Sequence, residues 1–206
     1  MGNETATEHR EAASDLVAAT RELMRAAATT AVNVDTMRAA IESLGELSRE
    51  LGKESRPRVV HAPFDGPATA LAAGAETPWR LFRYNPQGME MDVYFDGETV
   101  RSRVQSDALF EGPRDAIHGG FSAHMLDCVL GILMQARGIR ALTASLELRY
   151  LERVPLDEPL DLCARIVDTT GRKTVAEGWI EVGGRRTVEA RGLFIAVSEE
   201  RQEVPA

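Results

Sequence analysis

The spacing of apolar positions changes period twice along the chain. Between residues 8 and 28, Leu16, Ala19, Leu23, Met24 and Ala27 recur at helical spacing and predict a first helix. Met37, Ile41, Leu44, Leu47 and Leu51 follow with gaps of 4, 3, 3 and 4, which predicts a second helix. Asp35 is its expected cap and Gly52 its stop. The two helices are expected to form a hairpin, either a loosely attached cap or a cover for a sheet edge, a subunit contact or a pocket mouth. Residues 55–80 are broken by Pro57, Pro63, Gly66, Pro67, Gly74 and Pro78 and read as irregular, with His61 in the loop. The run 70–73 is too short to assign.

From Met89 the period is two. Met89, Met91, Val93 and Phe95 alternate with Glu90, Asp92 and Tyr94, the pattern of a half-buried strand. Asp96-Gly97 is a hairpin turn, and 99–105 returns as the second strand. A loop follows, built on Glu111-Gly112-Pro113. An apolar helix then spans about 120–137 and stops at Gly138. Four more strands are expected, near 143–151, 160–168, 173–182 and 187–197, separated by Pro155, Pro159, Gly171, Gly183 and Gly184. Two strands, a helix and four strands, without βαβ alternation, predict an α+β fold: an antiparallel sheet with a helix on one face. Phe121, Met125, Leu126, Cys128, Val129, Leu130, Ile132, Leu133 and Met134 exceed one helical stripe. A curved sheet wrapped around a helix buried nearly all round, helped by a partner subunit, is therefore expected.

The chain has 206 residues and a formal net charge of -8, which argues against wrapping nucleic acid. Cys128 and Cys163 read as small core fillers, not as a disulfide. No cysteine-histidine cluster has zinc spacing, and no metal is expected. The start, Met1-Gly2-Asn3-Glu4-Thr5, lacks the basic-then-apolar pattern of a signal peptide. No apolar run is long enough to span a membrane. A soluble protein of the reducing cytoplasm is expected.

Candidate chemistry concentrates in His118-Gly119-Gly120 and the helix behind it. Glycines at a helix start leave free N–H groups pointing outward, and the helix dipole adds positive potential. That suits a developing oxyanion, although a plain turn reads the same way. Asp127 stands among Ala123, Leu126, Cys128, Leu130 and Gly131, where an ionised carboxylate is costly unless it is paired or faces a pocket. Catalysis and a structural pair at an interface are the two readings. Gly119 and Asp127 are eight residues apart, roughly 12 Å along a helix. If both act on one carbonyl, Asp127 comes from a second subunit, and a two-fold dimer holds two composite sites. His118 reads as a positioning residue, since no Ser or Cys nucleophile elbow accompanies it. His124 reads as a core or interface histidine. Thr143 is placed to bond Asp127 or an attacking water, with Ser145 a weaker candidate. Gly171-Arg172-Lys173 is a basic turn that suits a phosphate-bearing ligand tail or plain solvation. Arg149 and Arg153 are weaker candidates for that role.

These residues resemble the hotdog-fold acyl-CoA thioesterases of the phenylacetate-degradation (PaaI) and THEM4-like type. The resemblance rests on Phe110-Glu111-Gly112-Pro113, on His118-Gly119-Gly120 with Asp127 nine residues after the histidine, and on Leu142-Thr143-Ala144-Ser145-Leu146. Tyr150, Arg153, Val154, Pro155 and Gly171-Arg172-Lys173 also fit, so that it covers about 78–197. It implies a sheet wrapped around the helix, and homodimers that can pair as dimers of dimers. It implies that the Gly119 amide holds the thioester carbonyl and that Asp127 of the neighbouring subunit is base or nucleophile. Thr143 would hold the water, His118 would support the glycine turn, and basic residues would receive the CoA nucleotide. Gly112 stands where some relatives carry Asn or Gln, and Cys128 stands where an acid is usual.

The expected organisation is a helical extension over 1–55, a linker over 56–77, the thioesterase domain over 78–198 and a tail over 199–206. The expected activity is hydrolysis of an acyl-CoA thioester, with catalytic Asp127, Gly119, His118, Thr143 and Gly120 and with Gly171, Arg172 and Lys173 on the CoA. No cofactor is needed, since CoA is part of the substrate, and neither nucleic acid nor membrane is a partner. The alternative is a non-catalytic acyl-thioester-binding or assembly protein on the same dimeric scaffold. A hydratase is disfavoured because no hydration motif is present.

Overall fold

The computed structural model describes residues 2–197, with side chains from residue 6 onward. The expected tail over 199–206 lies outside the described residues. Two units are present. One comprises the residues up to His61 with Tyr84–Gln87, the other Ala62–Arg83 with everything from Gly88.

The first unit contains α1 (Gly2–Thr29) and α2 (Val34–Leu51). Asn33, not Asp35, caps α2: its Oδ1 accepts from the Thr36 N–H at 2.9 Å. Asp35 lies inside the first turn, 3.4 Å from Arg38. The chain is still extended at Asn33 (φ -67°, ψ 162°), and that geometry, more than residue type, selects the cap. No residue of α2 is buried, and Ile41 in its apolar stripe is 67% exposed.

The second unit begins with α3 (Gly66–Ala73), a short helix that spacing did not predict. Pro67 near its start supplies preset helical φ. The indole of Trp79 fills the space where a Cβ at residue 66 would stand, so that glycine is required there. Seven strands follow: β1 (Trp79–Leu81), β2 (Met91–Asp96), β3 (Thr99–Gln105), β4 (Ala141–Tyr150), β5 (Pro159–Thr170), β6 (Lys173–Val182) and β7 (Arg185–Ala196). They form one antiparallel sheet in the order β1-β2-β3-β5-β6-β7-β4. Gly97 at φ 57° makes the β2–β3 hairpin turn.

Between β3 and β4 runs α4 (Gly119–Ala136), which packs on β3 through β7 and on α3. Its end is a Schellman motif. Gly138 is left-handed at φ 69°, the Ile139 N–H donates to Met134 O at 2.9 Å, and the Gly138 N–H donates to Gln135 O at 2.9 Å. Met125, Leu126, Val129, Leu130 and Leu133 are buried with Val93, Leu160, Leu162, Ile180 and Phe194 of the sheet. Each such side chain contributes roughly 1.5–3 kcal/mol.

The expectation of a curved sheet wrapped around a helix buried on all sides is corrected. The sheet is open, neither closed nor strongly curled, with β1 and β4 as its two edges. At about 100° per residue, the buried positions of α4 fill an arc of roughly 200°. The rest of the helix, carrying Gly120, Phe121, His124, Asp127, Cys128, Gly131 and Gln135, is only half-buried or exposed. The apolar run misled because Phe121 and Cys128 border the covered arc without being buried.

Candidate active site

The site is built where a loop hands over to α4. Asp107 Oδ1 accepts from the Leu109 N–H at 2.9 Å and starts a single 3-10 turn, Ala108–Phe110. The strand-like segment after it is pinned by its backbone: the His118 N–H donates to Phe110 O at 2.8 Å, and the Ile117 N–H to Val154 O at 2.9 Å. Gly112 permits this closeness, because a Cβ there would lie 2.7 Å from the His118 backbone. The Phe110 and Phe121 rings meet edge-on, with centroids 5.0 Å apart.

His118 is the N-cap of α4, and its Nδ1 accepts from the Gly120 N–H at 3.0 Å. The ring therefore holds the glycine turn, and in the neutral form its proton sits on Nε2. Gly120's amide is spent in this bond. Gly119 is the first helical residue, so its N–H has no acceptor within the helix, and it finds none among the described residues. Of the two expected oxyanion donors, Gly119 is therefore the available one, and Gly120 is withdrawn from that role. The Gly119 carbonyl accepts from the Tyr150 hydroxyl at 2.9 Å, and a Cβ on Gly119 would touch the Tyr150 ring at 3.1 Å. Tyr150, at the end of β4, enters the site although the spacing of residues assigned it no role. The available sign was its place on the same strand face as Ala144, Leu146 and Leu148.

Asp127 lies two turns along α4, on the arc the sheet leaves uncovered. Thr143 of β4 donates its hydroxyl to Asp127 Oδ1 at 3.0 Å. The register between β4 and β7 shifts between Thr143 and Ser145, so a bulge occurs beside this bond. Ser145 is exposed. Cys128 follows Asp127 and is half-buried; burial, and then the neighbouring Asp127 carboxylate, push its thiol up to about 12. It stays protonated and offers no thiolate nucleophile at neutral pH. His124 is exposed, not a core histidine: its ring lies 5.4 Å from that of Phe82, and its Nε2 is 3.8 Å from Cys128 Sγ. Phe82 holds a left-handed backbone (φ 55°), and Gly88 leaves room for its ring, which a Cβ would strike at 2.1 Å.

The basic turn is elsewhere. Gly171 sits at φ 58° between β5 and β6, and the Arg172 guanidinium is bound to Ala196 O through Nη2 at 2.9 Å and Nε at 3.1 Å. Lys173 is exposed. Arg149 faces Glu189 at 3.6 Å, and Arg153 bonds the Arg114 carbonyl. Among the described residues no three His, Cys, Asp or Glu side chains are grouped to hold a metal, and no helix is long and apolar enough to cross a membrane.

Within one chain, then, Gly119 and Asp127 stand apart on the same helix. Thr143 is bonded to the acid, and His118 and Tyr150 brace the glycine turn. The described chain resembles the crystal structure of RHA08564, a thioesterase superfamily protein, at 26% identity over 89% of this chain and 94% of that one, with a TM-score of 0.72. It also shares its fold with a hypothetical thioesterase of Streptococcus pneumoniae TIGR4 solved with coenzyme A, at 17% identity over 52% of this chain and 89% of the other, TM-score 0.50. The same holds for smu.793 of Streptococcus mutans UA159 bound to acetyl CoA, with the same identity, coverage and score. Residues 115–189, which include the glycine turn, Asp127 and Thr143, match the family model of the thioesterase superfamily. The family match thus falls on the stretch that holds the glycine turn and the acid, and the likeness to RHA08564 runs along nearly the whole chain.

Proposed function

We propose that the protein hydrolyses acyl-CoA thioesters at a site shared by two copies of the chain. The observation that carries the reading is the Thr143–Asp127 hydrogen bond of 3.0 Å on the uncovered arc of α4, with an unspent Gly119 amide at the start of the same helix. The two groups are roughly 12 Å apart along the helix axis, too far to act on one carbonyl in one chain. A two-fold partner with its helix antiparallel brings Asp127 of one copy to Gly119 of the other. The exposed edge strand β4, with Leu142 68% exposed, is the surface on which that partner would pair.

In this mechanism the Gly119 N–H polarises the thioester carbonyl and holds the oxyanion of the tetrahedral intermediate. Asp127 takes a proton from water as the water oxygen bonds to the carbonyl carbon. Thr143 keeps the carboxylate turned toward that water. Collapse of the intermediate breaks the carbon–sulfur bond, and the CoA sulfur leaves with the proton, giving acid and free thiol. Lys173, with Arg172 and Gly171, is assigned to the CoA phosphates. The two unpaired cysteines fit a reducing, cytoplasmic setting.

Release of free thiol from a graded panel of acyl-CoA substrates tests this. Asp127→Asn is expected to lower kcat by about 10²–10⁴-fold. An Asp127→Asn protein as fast as the parent would end the proposal. A non-catalytic acyl-thioester binder is the second reading, favoured by the protonated Cys128 where the resembling enzymes carry an acid. Tight CoA binding with no thiol release across the panel would select it.

A further inference from the structure

The helical unit carries a second cluster that thioester hydrolysis does not use. Ala6, His9, Arg10 and Ala13 share one face of α1 at spacings of three and four residues. With Arg56, Val60 and Tyr84 they line a cleft of about 340 Å³. No carboxylate is among these lining residues.

Several arginines elsewhere among the described residues sit against carboxylates. Arg80 is 2.9 Å from Asp92, Arg101 is 3.0 Å from Asp96, and Arg191 is 2.9 Å from Glu177. Arg56 instead places Nη2 3.0 Å from His9 Nε2. A guanidinium has no lone pair to give, so the His9 nitrogen accepts and its ring proton sits on Nδ1. Arg56 is thereby oriented by an imidazole and not by a carboxylate. The Arg10 guanidinium has no hydrogen bond or ion pair among the described residues. In a chain with a formal net charge of -8, carboxylates are plentiful, yet two arginines border one cavity without one.

We propose that this cleft binds a phosphate-bearing organic anion, with the phosphate at Arg10 and Arg56 and the organic part against Tyr84, Val60 and Ala13. Guanidinium forks match phosphate oxygens in geometry and charge. The cavity exceeds what an inorganic phosphate fills, and Tyr84 gives it a flat aromatic wall. A free nucleotide and the nucleotide end of CoA both carry this chemistry. The site is independent of the thioesterase reading.

Calorimetric titration of the full chain tests it, with ADP, CoA, inorganic phosphate and uncharged adenosine as probes. ADP is expected to bind more tightly than inorganic phosphate, and adenosine to give no measurable binding. Arg10→Ala and Arg56→Ala are each expected to weaken ADP about tenfold. Arg56→Lys, with its charge but not its fork, is expected to fall between. Circular dichroism checks that the helices persist in each variant. A parallel loss for CoA identifies the nucleotide end of CoA as occupant; a loss confined to ADP identifies a free nucleotide. No binding of ADP or CoA by the parent, equal affinity in parent and a folded Arg10→Ala/Arg56→Ala variant, or adenosine binding as well as ADP would overturn the proposal.

Discussion

Thr143 is worth following at the residue scale, because a single hydroxyl orients the only carboxylate on the uncovered arc of α4. Thr143→Val keeps the shape and removes the donor. In the proposed mechanism kcat falls about tenfold, with KM little changed, in the thiol-release assay. Tyr150→Phe frees the Gly119 carbonyl and loosens the turn that aims the Gly119 amide. Its loss of kcat is expected to be smaller than that of Asp127→Asn, since the ring still packs on Gly119. Cys128 makes a prediction about pH. Its thiol is pushed up to about 12, above an ordinary value of 9.0, chiefly by burial. Below the ordinary value, folded and unfolded chains both hold the proton and the stability is whole. Between that value and about 12 only the unfolded chain gives the proton up, so stability falls as pH rises. Melting temperatures of Cys128→Ser across that alkaline range are expected to fall less steeply than those of the parent.

At the scale of elements, α4 does two jobs with two faces. Its covered arc holds the second unit together, and its open arc carries Asp127. Leu130, fully buried against the sheet, is the place to separate them. Leu130→Ala is expected to cost about 2–5 kcal/mol in chemical denaturation, with the Thr143–Asp127 and Tyr150–Gly119 hydrogen bonds untouched below the transition. The apolar stripe of α2 behaves in the opposite way. Ile41 is 67% exposed, so Ile41→Lys is expected to change the stability of the isolated chain by no more than about 0.5 kcal/mol. A larger drop in melting temperature would mean that the stripe is covered in the assembled protein.

The whole molecule is where the proposed chemistry becomes complete or stays divided. The sheet ends at β4, a ten-residue strand with one neighbour, and the acid lies on the arc of α4 that the sheet does not cover. If pairing across that edge completes the site, thiol release per chain is expected to fall on dilution in step with dissociation measured by analytical ultracentrifugation. Activity that stays proportional to concentration well below the dissociation range would place both groups' work within one chain.

Much of this was legible in the chain alone. Alternation at Met91, Val93 and Phe95, the Asp96-Gly97 turn, the apolar run behind His118 and the stop at Gly138 are local signals, and local signals survive into any fold that keeps backbone hydrogen bonds paired. The candidate residues stood out for the same reason: a glycine pair at a helix start and a carboxylate in an apolar helix are unusual in any context. Three things were decided only by tertiary structure. Asn33, and not Asp35, became the cap because the chain's path set where α2 begins. Gly120's amide went to His118, leaving Gly119, because the loop pinned to Phe110 and Val154 fixed the histidine's position. The sheet stayed open, because the covering of a helix depends on how far the strands curl, and strand curl is set by long-range pairing that no stretch of sequence carries by itself.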